Sequence, residues 1–104
     1  YGGWDTKVGS LGNLIEAIKK GYAPIVRAFA EAVPDLNQMD QKGGTPLMWA
    51  VARRKPVLVE LLLSRGADPE FPDSDGTTPG ALAEQKGLNT ITDILRSALD
   101  SRDA

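Results

Sequence analysis

Apolar residues recur at helical spacing in three separated blocks: Ile25, Val26 and Phe29; Leu58, Val59, Leu62 and Leu63; and Ile91, Ile94 and Leu95. Steps of one, three and four residues place each block on one face of a helix, which is the pattern of a packed stripe. Pro24 and Pro56 stand just ahead of the first two blocks. Proline has no N–H to give to an interior turn, so each fits only the first turn and marks a start. Asn89 marks the matching start of the third block. A shorter helix is predicted ahead of each. Thr45-Pro46 and Thr78-Pro79 are start signals, with a capping oxygen followed by a proline whose missing N–H costs nothing there. Asn13, with Glu16 three residues on, reads as a capping box opening the earliest of these helices. Gly66, after Leu61–Arg65, suits the left-handed end of a helix. Lys42-Gly43-Gly44 and Ser74-Asp75-Gly76 lie between Asp-rich flanks and read as tight turns projecting from the helices.

The blocks are copies of one unit. Asp40, Gly43, Thr45 and Pro46 recur as Asp73, Gly76, Thr78 and Pro79 at a constant offset of 33 without a gap. The register extends to Ala50 with Ala83, Leu58 with Ile91 and Leu62 with Leu95. A weaker third copy lies 33 residues earlier: Leu14, Ala17, Ile25, Val26 and Phe29 precede Leu47, Ala50, Leu58, Val59 and Leu62, and Asp35 precedes Asp68. A period in this range predicts stacked supersecondary units, because one helix pair cannot bury its own apolar stripe.

The run Asp40-x-x-Gly43-x-Thr45-Pro46-Leu47, followed by Ala50, Val59, Leu61-Leu62 and Gly66-Ala67-Asp68, resembles the ankyrin repeat. The likeness is dense over residues 40–73, fair over 73–99 and weak before that. It implies an all-α ankyrin-repeat solenoid of three stacked helix-turn-helix units with short hairpin-like turns, at about residues 7–39, 40–72 and 73–104. Residues 1–11 are then a leader or the end of an upstream region, and 12–104 the repeat domain. Trp4 is a candidate lid on the first repeat, set against a plain ordered or frayed leader or the tail of an upstream domain. This chain departs from the family pattern in places. Met48 stands where the family usually has a histidine that ties the preceding loop, and Arg54 stands where a glycine normally ends the first helix. Gly80 and Ala81 lighten the first helix of the last copy, and Val33-Pro34 replaces Gly-Ala in the first. Divergent outer copies suit capping roles. Ala17, Ala50 and Ala83 are expected to let successive first helices approach closely.

Composition narrows the chemistry. The 104 residues contain no cysteine and no histidine. Disulfides and thiolate chemistry are therefore excluded, and the commonest general base and metal ligand are absent. The missing cysteines favour an intracellular setting of unspecified compartment. The chain opens at Tyr1 rather than methionine, so any targeting peptide is expected upstream. A formal charge of −2 gives nucleic-acid binding no global support. No apolar run approaches the length needed to insert in a membrane. Asp35, Asp68, Asp40 and Asp73 recur at repeat positions, which is the mark of turn and cap roles rather than of an acid–base pair. Asp73-Ser74-Asp75-Gly76 resembles the start of a Ca²⁺ loop but lacks the distal glutamate at the right distance from its glycine. No Gly-rich phosphate loop occurs. No catalytic, metal or cofactor site is assigned, and the chain is read as a non-enzyme that binds a protein or peptide.

The family resemblance places partner contacts on the turn tips and the inner face of the first helices. By repeat phase these are Met39, Gln41 and Lys42 with Gly44 in the middle copy, Ser74, Asp75 and Thr77 with Pro72 in the last, and Lys19, Lys20, Ala52, Arg53, Gln85 and Lys86 on the helices. Lys20, Arg53 and Lys86 are successive copies of one position, so a regular stack lines them up as a basic ladder, either suited to an acidic or carboxylate-bearing peptide or simply a solvated basic face. Trp49 and Met48 offer a second anchor, set against a structural reading in which Met48 packs between repeats and Trp49 is half buried. Two other functions compete with scaffold or adaptor binding. One is homo- or hetero-dimerisation through an apolar end formed by Ile91, Ile94, Leu95 and Leu99. The other is service as a regulatory or targeting subunit of another protein.

Overall fold

A computed structural model of the chain describes residues 11–102. The expectations for Trp4 and for residues 1–10 fall outside the described residues. Among the described residues six helices follow one another: α1 (Leu11–Lys20), α2 (Ala23–Ala32), α3 (Pro46–Ala52), α4 (Pro56–Ser64), α5 (Pro79–Gln85) and α6 (Asn89–Arg102). They pair as α1 with α2, α3 with α4 and α5 with α6. The first helices then stack as α1–α3–α5 and the second as α2–α4–α6, giving two layers. The described residues contain no strand.

Local chemistry sets the boundaries. Thr45 Oγ1 accepts the Met48 N–H at 3.2 Å, and Thr78 Oγ1 accepts the Ala81 N–H at 3.2 Å, with Pro46 and Pro79 opening the two helices. Each first helix ends at one left-handed residue: Gly21, Arg54 and Gly87, with φ of 75°, 58° and 67°. The next N–H then folds back onto an alanine carbonyl, Tyr22 to Ala17, Lys55 to Ala50 and Leu88 to Ala83. This closure satisfies carbonyls that a helix end leaves open. One expectation fails here. Asn13 lies inside α1 and is buried, so it does not cap the helix. It occupies the repeat position of Pro46 and Pro79, and α1 starts earlier relative to the repeat than α3 and α5 do.

The turns are also copies. Asp40 Oδ1 accepts from the Lys42 and Gly44 N–H groups, each at 2.9 Å, and Asp73 Oδ1 accepts from Asp75 at 2.9 Å and Thr77 at 3.0 Å. Asp35 and Asp68 likewise accept from the N–H two residues on. Successive turns are joined by the Ser74 N–H, which donates to the Gly43 carbonyl at 3.0 Å. Gly43 has φ of 85°, and an added Cβ would collide with the Ser74 side chain.

Packing follows repeat phase. Ala17, Ala50 and Ala83 are each 0% exposed where the first helices meet. Ile25 is 39% exposed, whereas its counterparts Leu58 and Ile91 are each 2% exposed. That position therefore faces the preceding repeat. Positions facing the following repeat turn polar in the last copy: buried Ile18 and Val51 become exposed Glu84, and buried Val26 and Val59 become Thr92. The apolar end expected from Ile91, Ile94, Leu95 and Leu99 is accordingly corrected. Ile91 and Leu95 belong to the buried core and Ile94 packs against it, because these residues point back toward α4 and not out of the stack.

Candidate functional site

The first-helix layer and the turn tips share a cleft of about 400 Å³ between α1 and the Asp40 turn. Ile15, Glu16 and Lys19 line it from the helix, and Met39, Asp40, Gln41 and Lys42 from the turn. Its wall is fixed by a three-residue arrangement. Trp49 Nε1 donates to Asp40 Oδ2 at 2.8 Å, which ties α3 to the base of the turn. Lys19 Nζ lies 4.3 Å from the centroid of the Trp49 ring, bridging α1 to α3. Such a cation over an indole is attracted by the ring quadrupole. Gly44 makes room for this, since a Cβ there would sit 2.9 Å from Trp49 Nε1.

Asp40 is the electrostatic centre of the arrangement. Burial pushes its pKa up. That push is outweighed by the Gly44 N–H, the Trp49 N–H, the Lys42 N–H and the charge of Lys19, which together hold it below the ordinary value of 3.8. A depressed carboxylate adds stability that is present above the unfolded pKa and lost as pH falls through the folded one. Asp40→Asn is therefore expected to destabilise the chain near neutrality by about 1 kcal/mol, the scale of a typical hydrogen bond. The gap between the two proteins should then shrink as pH is taken below 3.8. Urea melts at several pH values measure it, and a gap that stays constant into acid would contradict this role.

The structure gathers part of the sequence-predicted set. Lys19, Met39, Gln41 and Lys42 line the cleft, and Trp49 stands behind it. Met48 is buried and Trp49 is half buried, with its N–H engaged by Asp40 and a ring face by Lys19. Lys20, Arg53 and Lys86 are exposed at the ends of the three first helices. Gln85, Ser74 and Asp75 are exposed on the third repeat and Thr77 partly so, away from the cleft. Ile15, Glu16 and Asp40 were missed as site residues. A signal existed for Asp40: Trp49 is an indole donor at the position held by Glu16 and Leu82 in the other copies, so only this turn aspartate has such a partner. Among the described residues no group of three His, Cys, Asp or Glu side chains is placed to hold a metal, and no helix is long and apolar enough to cross a membrane.

Known proteins share this architecture. The family model for ankyrin repeats, in three copies, matches residues 14–102. The ankyrin repeat protein YahD of Escherichia coli K12 is 34% identical over 99 residues, covering 89% of this chain and 49% of that protein. Human 2-5A-dependent ribonuclease is 37% identical over 75 residues, covering 71% of this chain and 10% of that enzyme. The crystal structure of an ankyrin repeat domain from Acinetobacter baumannii AYE superposes with a TM-score of 0.79 at 31% identity, over 90% of this chain and 53% of its own. The chain thus spans about half the length of the bacterial relative and of the solved domain. Matching in repeat number, in helix order and in sequence, the chain belongs to the ankyrin repeat family.

Proposed function

We propose that this chain is a non-catalytic interaction module that receives an acidic peptide segment of a partner protein along its first-helix layer. Ankyrin repeat domains are generally protein-interaction modules. The observation that carries the finer reading is the row Lys20, Arg53 and Lys86. All three are exposed at one repeat position, with no ion-pair partner among the described residues, where the ion pair present is Arg65 with Glu31. Opposite charge along such a row speeds encounter and selects partners. Lys19 and Lys42 add charge at the cleft, and Met39 gives it an exposed apolar contact.

The test is fluorescence anisotropy with a labelled Glu-rich peptide, against a Lys-rich peptide of equal length. Arg53→Glu combined with Lys86→Glu is expected to weaken binding of the acidic peptide about tenfold or more at low salt and to flatten its salt dependence. Both residues are exposed, so melting should change little. Equal binding by the reversed protein, or preference for the basic peptide, would remove this reading.

A further inference from the structure

The inter-helix turns carry more charge than the three ladder positions alone. Residues 20–22, 53–56 and 86–89 read Lys-Gly-Tyr, Arg-Arg-Lys-Pro and Lys-Gly-Leu-Asn, without a carboxylate. The turns also reach toward one another. A Cβ at Gly21 would lie 3.4 Å from Lys55 Cε and 3.5 Å from Lys55 Nζ, so Lys55 of the second repeat lies against the turn that follows Lys20. On the other side, Arg54 shares a small cleft with Leu88, Asn89 and Thr90, just past Lys86. Cations from all three repeats therefore form one continuous edge.

Arg54 stands out within it. It is the sole non-glycine with positive φ among the described residues, at 58°, where its two repeat counterparts are Gly21 and Gly87. A side chain in the left-handed region costs free energy that glycine avoids. No ion pair or side-chain hydrogen bond to Arg54 offsets that cost among the described residues, and Arg54 is exposed. An uncompensated strained residue at a surface edge marks a site where the side chain itself is wanted.

We propose that this edge reads an extended acidic segment whose carboxylates fall three residues apart, and that Arg54 is one of the residues that bind it. The inference rests on the acidic-partner reading above and adds register to it. Packed helices lie about 8–10 Å apart, so one repeat position recurs at about that interval along the stack. A polyproline II segment advances about 3.1 Å per residue with three residues per turn, so every third side chain returns to the same face after about 9 Å. A carboxylate at every third residue meets one turn of the edge after another, whereas alternate or clustered carboxylates fall out of step.

The experiment compares three labelled peptides of equal length and net charge, with glutamates at every third position, at alternate positions or in one cluster, and a single-stranded oligodeoxynucleotide of equal charge. Anisotropy is read for the unsubstituted chain, Arg54→Gly, Arg54→Lys, and Arg53→Glu with Lys86→Glu. The third-position peptide should bind several-fold tighter than the other two peptides and the oligonucleotide. Arg54→Gly should melt at a higher temperature yet bind that peptide about fivefold more weakly, and Arg54→Lys should keep most of the affinity. A more stable fold with weaker binding separates recognition from damage. Unchanged affinity in Arg54→Gly, equal binding of the three spacings, or tighter binding of the oligonucleotide would overturn the inference. If the chain binds acidic peptide and loses it on charge reversal while Arg54→Gly binds normally, only this inference fails. If no acidic peptide binds, the functional reading fails with it.

Discussion

Leu62→Ala is expected to lower the unfolding free energy by about 2–5 kcal/mol, the range for a fully buried leucine cut back to alanine. Leu62 is 0% exposed and sits in α4, the middle helix of its layer, with α2 on one side and α6 on the other. Leu62 faces the preceding repeat, so a cavity there opens onto the packing of α4 against α2, which cannot close without losing contact elsewhere. A chain of this size is held by about 5–15 kcal/mol, which makes the loss a large share of the total. The melting midpoint should fall by roughly 10 °C or more. Phe29 holds the same repeat position in the first copy but is partly exposed, so Phe29→Ala should cost less although it removes more atoms. Thermal and urea melts followed by circular dichroism measure both. A Leu62→Ala midpoint close to that of the unsubstituted chain, or a Phe29→Ala loss as large as that of Leu62→Ala, would contradict the stacked packing described for α4.

Much of the fold was legible because its determinants are local and repeated. A threonine followed by proline specifies a cap and a first turn within two residues, and its recurrence at an offset of 33 fixed the phase of everything between. Turn roles for Asp40, Asp73, Asp35 and Asp68 followed from the same phase, since each carboxylate reaches N–H groups only a few residues away. Asn13 shows how a local signal misleads. Asn-x-x-Glu has the form of a capping box, but repeat phase places Asn13 level with Pro46, and in α1 that level is already inside the helix. Ile91 and Leu95 show the reverse error. Their phase matched Leu58 and Leu62, which face backward along the stack, yet nearness to the chain end invited an outward reading.

The candidate site was less legible because it depends on contacts between repeats. Lys19 and Trp49 lie 30 residues apart, so their stacking needs the approach of α1 to α3 as well as the repeat phase. Asp40 carries two roles at once, with one oxygen holding the turn and the other holding the indole. Only the first role has a periodic signature, because Leu82 at the equivalent of Trp49 offers no donor. Charge at the helix ends was visible as a ladder of three. The reach of Lys55 to Gly21, and of Arg54 to the turn after Lys86, depends on how the turns stack.

That stacking is most directly challenged by Ala50→Leu, which is expected to cost about 1–3 kcal/mol through overpacking. Ala50 is flanked by α1 and α5, and it and its counterparts Ala17 and Ala83 are all 0% exposed. Its carbonyl also accepts the Lys55 N–H at 3.1 Å in the closure that ends α3. A leucine there has to push apart two first-helix contacts at once, and the backbone cannot shift without straining that closure. The effect should sit toward the upper end of the range. Amide exchange should quicken in α1 and α5 as well as in α3, because each repeat is held mainly by its neighbours. Ala52→Leu is the internal control. It lies on the same helix two residues on but is exposed, so it should move stability by no more than about 0.5 kcal/mol. Were both substitutions equally mild, the first helices would not meet at their alanines, and the register of the whole stack would have to be redrawn.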